Sequence, residues 1–459
     1  MTRTKDEAGI AMITSIMMLT IVTALTAIVL TTGSHSDRSS QRGRNWTVAL
    51  QTADSGIQRA VAYMQSTHGG VPGPFTGATA DGTYNTVVTS LGRHRYQIDS
   101  TAEVGRGQGL VTSRAVRVVM GPPKAFRYAL FSYTDVDTKN NNYITGDVWA
   151  NGNITVQQGD TVDGSTTAAT GWTFLDNGSS ITGSVISGGY NSSTGTAIDV
   201  STNATIHGTA KAMSTVPACS DDPTHQYYNV HVVGQIDGTV LSWGSKTGGG
   251  STGTFTRPLL CPAAPAQKPL PLFTYNPANY SPAPVEFATP TAFNTWLAAG
   301  HTSGLSGTYF IHGGGASDPV DINGVTIGAD TTIIAESAPI NAFGGVGVAD
   351  ANANDKVLVL VSYFQPAPGT ACTDNGGNPA DCAIGIKNNL QPNQNTATLI
   401  YAPNGPVAFK NSAQFNGAVY ANDIVLKNNL DVVYDARVDQ LIGFGDVTLE
   451  TESWVETTH

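Results

Sequence analysis

A long apolar run dominates the hydrophobic pattern at the N-terminus. No residue from 8 to 33 carries a charge, and the run is apolar apart from Thr, Ser and Gly. A helix needs about 20 such residues to span a bilayer, whereas a cleaved secretory signal has an apolar core of about 7 to 15. The run therefore predicts one membrane-spanning helix. Its orientation stays open, because basic residues lie on both sides: Arg3, Lys5, Arg38, Arg42 and Arg44.

A second helical pattern follows the apolar run. Apolar residues recur at alternating steps of four and three, which places them in one stripe along a helix: Trp46, Leu50, Ala53, Ile57, Ala60 and Met64. The polar stretch 33–43, between the two patterns, is expected to loosen the helix. The pattern leaves open whether the stripe packs on neighbouring helices or on the chain's own β region.

Strand patterns begin at residue 75. Residues 84–88, 96–100 and 116–120 alternate or are β-branched, with turn signals at 80–82 and 106–109 and two prolines at 122–123. We expect a small β unit over 75–123 that packs on the preceding helix.

One short motif recurs beyond residue 125: an apolar residue, any residue, Gly, any residue, then a small or β-branched residue. It occurs at 144–148, 181–185, 206–210 and 415–419. Glycine at such a position suits a tight place where coils stack. The motif favours a β-solenoid, with a β-sandwich as the alternative. The first three motif glycines are 37 and 25 residues apart, which predicts long loops leaving the coils.

These patterns predict an α+β fold class, with a long N-terminal membrane helix followed by a mainly β, solenoid-like exported region. Residues 125–213 are the β repeat region, and 301–459 are a C-terminal β region that includes a buried strand at 356–364. Residues 214–300, with a Gly/Ser run and a Pro-rich stretch, are expected to be a linker or insertion.

The composition of the chain mainly excludes certain classes of protein. Only 12% of the 459 residues are charged, and 34 acidic against 23 basic residues give a net charge of −11. This balance excludes a basic nucleic-acid-binding protein and a disordered acidic tail, so nucleic acid is not an expected partner. The low charge and the 51 glycines are typical of a surface-exposed β protein.

Two N-terminal stretches resemble a known family. Glu-Ala-Gly-Ile-Ala-Met at 7–12 and Ala-Leu-Gln-Thr-Ala-Asp-Ser-Gly-Ile at 49–57 are similar to type IV prepilins, most of all to PilX-type minor pilins. The resemblance implies that Gly9 ends a leader of residues 1–9 and that a prepilin peptidase cuts before Ile10 on the cytoplasmic side. The helix of residues 10–68 would then join a helical bundle. A weaker resemblance, at 399–405, 415–426 and 433–435, is to the carboxy-terminal domain that accompanies such N-termini.

Two residues depart from the pattern of the major pilins. Thr14 stands at the fifth mature position, where those proteins have a Glu that pairs with a neighbour's N-terminal amine, and Ile10 replaces the usual Phe. The missing carboxylate also resembles the pseudopilin that begins filament tips. Thr14, a helix-packing position by this resemblance, therefore indicates a minor or tip subunit.

Four cysteines lie outside the apolar run: Cys219, Cys261, Cys372 and Cys382. An even number in an exported chain predicts two disulfides, for which three pairings exist. Proximity in sequence favours Cys372 with Cys382, which leaves Cys219 with Cys261. Zinc is the rival interpretation for Cys219, His225 and His231, but no ligand spacing of the zinc type supports it, and no metal site is expected.

The remaining motifs favour structure over chemistry, so we expect no catalytic residue, no cofactor and no enzymatic activity. Residues 350–355 offer alternate oxygen ligands, but the Gly and Glu of a calcium loop are absent, and a polar turn is the better interpretation. Residues 249–253 match G-x-S-x-G without the strand and helix that this motif needs, which indicates a flexible loop. Paired carboxylates that cleave polysaccharide remain open, because the fold sets such pairs.

The sequence thus predicts a minor pilin-like subunit of a type IV pilus-type filament. A β region of almost 400 residues would clash at every position of a packed filament, so we expect it at the tip or sparsely placed, where it primes assembly or presents an adhesive surface. Expected partners are other pilin-like subunits, prepilin peptidase, the membrane, and glycans or host and abiotic surfaces. We expect a single-pass membrane protein whose bulk lies outside the cytoplasm, at the cell surface or in the pilus. The alternatives are a tip pseudopilin of a type II secretion system and an anchored surface protein that does not polymerise.

Overall fold

The computed structural model divides the chain into two compact units. Unit 1 is Met1–Pro123 with Val447–His459, and unit 2 is Lys124–Asp446. In chain order, unit 2 is therefore an insertion near the end of unit 1. The residues that the structure describes are 4–66, 71–92, 95–105, 111–121, 126–213, 227–258, 263–280, 282–348, 356–367, 372, 382–387, 390, 396–440 and 450–457.

The described residues of unit 1 form one helix and one antiparallel sheet. Helix α1, Thr4–Ser66, runs without a break through residues 33–43, where we expected it to loosen. The sheet contains, in spatial order, β1 (Phe75–Ala78), β2 (Thr83–Gly92), β3 (Arg95–Val104), β4 (Thr112–Gly121) and the C-terminal strand Glu450–Thr457. Alternate residues along β2, namely Tyr84, Thr86 and Val88, are buried, as expected for a sheet with one covered face.

Unit 2 is a parallel β-solenoid, in agreement with the solenoid prediction, and its described residues form 30 strands of two to 15 residues. Between residues 130 and 256 each coil has three strands, which form three columns. The first column is Leu130–Ser132, Val148–Ala150, Thr166–Ala168, Val185–Ser187, Ala210–Ala212, Val240–Ser242 and Phe255–Thr256. The second is Val136–Lys139, Ile154–Val156, Thr173–Leu175, Thr196–Val200, Asn229–Val232 and Lys246–Thr247. The third is Tyr143–Thr145, Thr161–Asp163, Ser180–Ile181, Thr205–Ile206, Gln235–Ile236 and Ser251–Thr252.

In its described residues, the second half of unit 2 has longer strands and four short helical elements. Its strands are Val285–Phe287, Leu305–Ile311, Val320–Asp321, Val325–Ala335, Ile340–Ala342, Val346–Val348, Lys356–Ser362, Ile384–Lys387, Thr396–Lys410, Ala413–Lys427 and Leu430–Val433. Helix α2 (Pro290–Trp296) continues into a π-helical turn, Leu297–His301, and a 3-10 turn at Ala436–Gln440 follows the last strand. Another 3-10 turn, Pro277–Asn279, precedes the first strand.

The order of coils in space differs from their order in the chain. Strand Ala413–Lys427 pairs on one side with Thr396–Lys410 and on the other with Leu130–Ser132 and Val136–Lys139, which belong to the first coil. The chain thus enters at the middle of the stack, builds to one end, and starts again from the opposite end. Phe126 and Val438, near the start and end of the unit, belong to one buried cluster. This arrangement lets so large a unit be inserted between β4 and the C-terminal strand.

Residues 214–300, where we expected a linker or insertion, contain coils of the same stack. Six strands between Asn229 and Thr256 pair with the coils before them. The G-x-S-x-G sequence belongs to one of these coils, because Ser251 and Thr252 pair with Gln235 and Ile236 instead of forming a loose loop.

Residues 263–280 form an extended strap that crosses the coils on the outside of the solenoid. Asn151 binds the Lys268 backbone with both amide atoms, at 2.7 and 2.9 Å, and Tyr363 Oη donates to the Phe273 carbonyl at 2.7 Å. The Lys268 ammonium lies 3.8 Å from the centre of the Trp149 ring, a cation–π contact. Further along, Tyr275 stacks on Phe310 at 3.9 Å. The proline-rich sequence therefore has a fixed path between the two ends of the stack.

A column of glycines sets how closely the coils approach. Gly164, Gly183, Gly208, Gly238 and Gly253 follow Gly146 in successive coils, and a Cβ atom on each would lie 2.3 to 2.5 Å from the carbonyl oxygen of the glycine in the coil before. The recurring motif thus marks a corner where only hydrogen fits. The 37-residue gap between Gly146 and Gly183 holds a complete coil through Gly164, so the long loop expected there is absent.

We predict that Gly208→Ala destabilises unit 2 by about 1 to 3 kcal/mol, the usual cost of overpacking. The obstacle is the Gly183 carbonyl oxygen, 2.3 Å from the added Cβ, and no side-chain rotation relieves a clash with backbone. Urea denaturation of the full chain in detergent, followed by tryptophan fluorescence, measures the change. Gly249→Ala is the control, because nothing lies within 4 Å of its Cβ position. Equal midpoints for the two variants would contradict the role assigned to the glycine column.

Candidate functional site

Residues 15–32 of α1 form an apolar surface that the described part of the chain leaves uncovered. The segment Ser15–Thr32 has a mean hydropathy of 2.0, and none of it is buried in the structure. Side chains such as Met18 and Leu30 are more than two-thirds exposed, at 69% and 68%. By length and composition this segment is able to cross a membrane, and its position near the N-terminus also fits a signal sequence.

The threonines of this segment are compatible with apolar surroundings. Thr23 and Thr26 donate their hydroxyl hydrogens to the carbonyls of Leu19 and Val22, one turn earlier, at 2.8 and 2.7 Å. Thr20 bonds the Ile16 carbonyl in the same way at 3.0 Å. A hydroxyl that is already paired within the helix adds little cost when water is removed around it. The polar residues therefore do not prevent this half of α1 from entering lipid or a bundle of helices.

The second half of α1 packs on the sheet of unit 1, which answers the question that the apolar stripe left open. Of the predicted stripe, Ala53, Ile57 and Met64 are at most 5% exposed and share a cluster with sheet residues such as Ile98 and Val118. Ala60 is fully buried in the same cluster.

The edges of the stripe are less covered. Leu50 is half-buried, and Trp46 is 40% exposed with the Arg114 guanidinium 5.5 Å from its ring centre. Arg114 also forms an ion pair at 3.2 Å with Glu456 of the C-terminal strand. The polar Thr52 is buried and lies within hydrogen-bond distance of the Thr79 hydroxyl, at 3.3 Å.

Small residues bring the helix close to the sheet. Ala49, Ala53, Gly56 and Ala60 are buried at steps of four, three and four, which places them on one face of the helix. A Cβ on Gly56 would lie 2.3 Å from Thr86 Oγ1 and 2.5 Å from Ser100 Oγ. The sequence-based stripe omitted Ala49 and Gly56, because it took one apolar residue per turn and each of the two lies one position before a stripe residue, Leu50 or Ile57. The regular spacing of small residues was the signal that marked them.

The predicted processing residues Gly9 and Ile10, and Thr14, lie within α1. Their side chains are outside the part that the structure describes. The cleavage site and the role of Thr14 stay predictions from the sequence.

The structure joins Cys372 and Cys382 in a disulfide, with Cα atoms 4.8 Å apart, the pair that proximity favoured. Cys219, Cys261 and His225 fall outside the described residues, as does the 350–355 segment. His231, the third member of the rejected zinc set, pairs its Nδ1 with Asp199 Oδ1 of the adjacent coil at 2.9 Å.

Two carboxyl groups meet at one corner of unit 2. Asp423, within strand Ala413–Lys427, and Asp135, directly before strand Val136–Lys139, occupy equivalent positions of adjacent coils, because Ile424 pairs with Val136. Burial, with the nearby charge of Asp135, raises the pKa of Asp423 to about 6, although the Ile424 N–H donates to its carboxylate. Asp135 in turn accepts a hydrogen bond from the Asn153 N–H of the following coil.

No protein-family model and no curated protein matches the chain. Among solved structures, the competence-associated pilin ComZ from Thermus thermophilus matches over 90% of this chain and 97% of that one, with 10% identity and a TM-score of 0.27. A likeness at this level carries no conclusion about fold or function. Any functional assignment therefore depends on the residues and contacts of this chain.

We predict that Gly56→Ala weakens unit 1 by about 1 to 3 kcal/mol, because the added methyl group must displace the hydrogen-bonded Thr86 and Ser100 hydroxyls. Gly43→Ala is the matched control, since Gly43 is an exposed residue of the same helix with open space around it. That change is expected to leave stability equal or up to about 1 kcal/mol higher through helix propensity. Hydrogen exchange of the β2 and β3 amides measures both effects. Equal protection in the two variants would show that the contact at Gly56 is not close.

The raised pKa of Asp423 predicts how stability depends on pH. The folded-state value of about 6 lies above the reference value of 3.8, so the folded state holds the proton more tightly. The stability that this group contributes is fully present below about pH 4 and is lost as pH rises to 6, by about 1 to 3 kcal/mol. Asp423→Asn should flatten this part of the urea-midpoint profile and stabilise the chain at pH 7. Asp163→Asn, an exposed position, is the control, and an unchanged slope in D423N would refute the assignment.

Proposed function

We propose that the chain is a minor pilin-like subunit of a type IV pilus-type filament. The observation that carries the proposal is the division of α1. Ser15–Thr32 has no cover among the residues that the structure describes, while the part from Ala49 to Met64 packs on the sheet of unit 1. A rigid helix that offers its free apolar half to lipid, and later to other helices, suits a subunit that moves from a membrane into a filament core. The prepilin-like residues at 7–12 support the same function.

The size of unit 2 supports a place at the tip or at scattered positions. Lys124–Asp446 is inserted after the fourth strand of a small helix-and-sheet unit. Bulk of this kind on every neighbouring subunit would collide. Thr14, in place of the Glu of the major pilins, supports a subunit that does not pair with an amine above it. At such positions the solenoid is suited to priming assembly or presenting an adhesive surface, and we propose no enzymatic step for it.

Two further candidates use the same helix. A tip pseudopilin of a type II secretion system would also lack the Glu at position 14, and its loss would abolish secretion and leave pili intact. A surface protein that never polymerises would keep the helix in the membrane. The proposal places residues 1–9 in the cytoplasm and the bulk of the chain at the cell surface.

Mass spectrometry of the native N-terminus in the envelope fraction tests the proposal. We expect a chain that starts at Ile10, N-methylated after removal of residues 1–9. Gly9→Val should block the cut and leave Met1 in place, and Gly33→Ala, further along the helix, should be processed normally. An intact or acetylated Met1 in the native protein would overturn the pilin proposal and leave a membrane-anchored surface protein. If the chain starts at Ile10, deletion of its gene distinguishes loss of pili from loss of secretion.

A further inference from the structure

A polar groove crosses one corner of the solenoid, within unit 2. It has a volume of ≈ 420 Å³ and is lined mainly by amides and glycines that follow one another in successive coils: Asn141, Gln158, Gly159, Asn177, Gly178 and Asn203. These residues lie in the turns between the second and third strand columns, and each one is exposed. No charged side chain contributes to the lining.

Backbone geometry explains part of this composition. Asn141, Gly159, Gly178 and Asn203 have φ between 58° and 75°, the left-handed region that Asn and Gly tolerate best. The same reason does not apply to Gln158 and Asn177, which do not have positive φ. Two successive coils thus carry an amide side chain, Gln158 and Asn177, at a turn position whose backbone conformation does not require one.

The amide groups of the groove are only partly used by the protein. Asn203 Nδ2 donates to Asn177 Oδ1 at 3.2 Å, which leaves the Asn177 NH₂ free within the described part of the chain. The side chains of Asn141 and Gln158 likewise have no protein partner among the described residues. A side-chain amide has two N–H donors and one oxygen acceptor, so Asn141 and Gln158 offer both kinds of group and Asn177 offers its donors. The groove therefore presents unsatisfied hydrogen-bonding groups of both kinds along its length.

A buried network holds the floor of the groove in place. Asp160 is fully buried and accepts hydrogen bonds from the Asn142 N–H at 2.7 Å, the Asn142 side-chain NH₂ at 3.1 Å and the Gln157 N–H at 3.2 Å, as well as from the Thr138 hydroxyl. Asn142 Oδ1 accepts from the Leu430 N–H of the coil on the other side at 3.0 Å. This network links three coils below the turns that carry Asn141 and Gln158, so these two amides are set on a rigid base before any ligand arrives.

We propose that this groove binds a neutral polysaccharide chain along the axis of the solenoid. Sugar hydroxyls donate and accept hydrogen bonds as amides do, and an uncharged lining disfavours an ionic ligand because it offers no counter-charge. Adjacent coils repeat every ~4.8 Å, close to the length of one hexose unit, so successive sugars meet successive amides. The proposal deepens the proposed function, since it names what an adhesive surface would hold, and the binding can be measured independently of filament assembly.

Isothermal titration of the full chain in detergent tests the groove. The probes are hexasaccharides of β-1,4-linked glucose, α-1,4-linked glucose and β-1,4-linked N-acetylglucosamine, with polygalacturonate as the charged comparator. We expect at least one neutral hexasaccharide to bind and polygalacturonate not to bind. Gln158→Ala combined with Asn177→Ala should weaken that binding by about tenfold or more, because two amide partners are lost. Gln235→Ala, an exposed amide of the same solenoid outside the groove, is the matched control and should bind like the wild type.

The outcomes separate this proposal from the pilin proposal. Circular dichroism and the urea midpoint establish that the double variant is folded, and neither replaced residue has the positive φ that would strain alanine. Three results would overturn the proposal for the groove: no binding of any neutral probe, equal affinity of the wild type and the folded double variant, or equally tight binding of polygalacturonate. If native chains start at Ile10, the pilin proposal is unaffected by these results. Binding that depends on Gln158 and Asn177 in a protein whose native N-terminus is Met1 would keep the groove and overturn the pilin function.

Discussion

Close contact between successive coils is the constraint on which unit 2 depends. Short strands of two to four residues have little stability alone, and here they are held by hydrogen bonds to the neighbouring coils of the stack. The glycine column permits the close approach of successive coils, because a side chain at Gly183 or Gly208 would clash with a backbone carbonyl. Side-chain acceptors add hydrogen bonds between the coils: Asp147 Oδ1 accepts from the Ser165 N–H of the next coil, and Ser165 Oγ accepts from the Ser184 N–H. The amide groove follows from the same regularity, since equivalent turns stack.

Local pattern predicted the class of fold, and contacts distant in sequence decided the rest. The motif around Gly146 and Gly183 identified stacked coils, yet Gly164 and Gly238 have the same flanking pattern and were missed, so that one coil was predicted as a loop. The proline-rich strap was taken for a linker because its partners, Asn151 and Tyr363, lie about 90 to 120 residues away and leave no local signal. The order of the coils was unpredictable for the same reason, as strand Ala413–Lys427 pairs with strands almost 300 residues earlier.

The candidate sites show the same division. Periodicity located the buried stripe of α1, but whether Ile57 and Met64 meet a sheet or another helix depends on unit 1 as a whole. The short separation of Cys372 and Cys382, ten positions along the chain, made their pairing predictable from the sequence. No sequence signal marked the groove, because Gln158 and Asn177 are ordinary turn residues until the stacking of coils brings them into one line.

The position at which the chain joins the solenoid has a mechanical consequence. Because Phe126 and Val438, near the two ends of unit 2, lie beside the same central coils, a pulling force applied through both ends enters the solenoid at the coils of Leu130 and Val419, and the coils beyond them stay out of the direct path. If a ligand bound in the groove were pulled, the force would also pass through the few coils between Asn141 and Asn203. The half built from Val285 to Lys410 would then remain unloaded, able to keep its shape while the other half bears the pull.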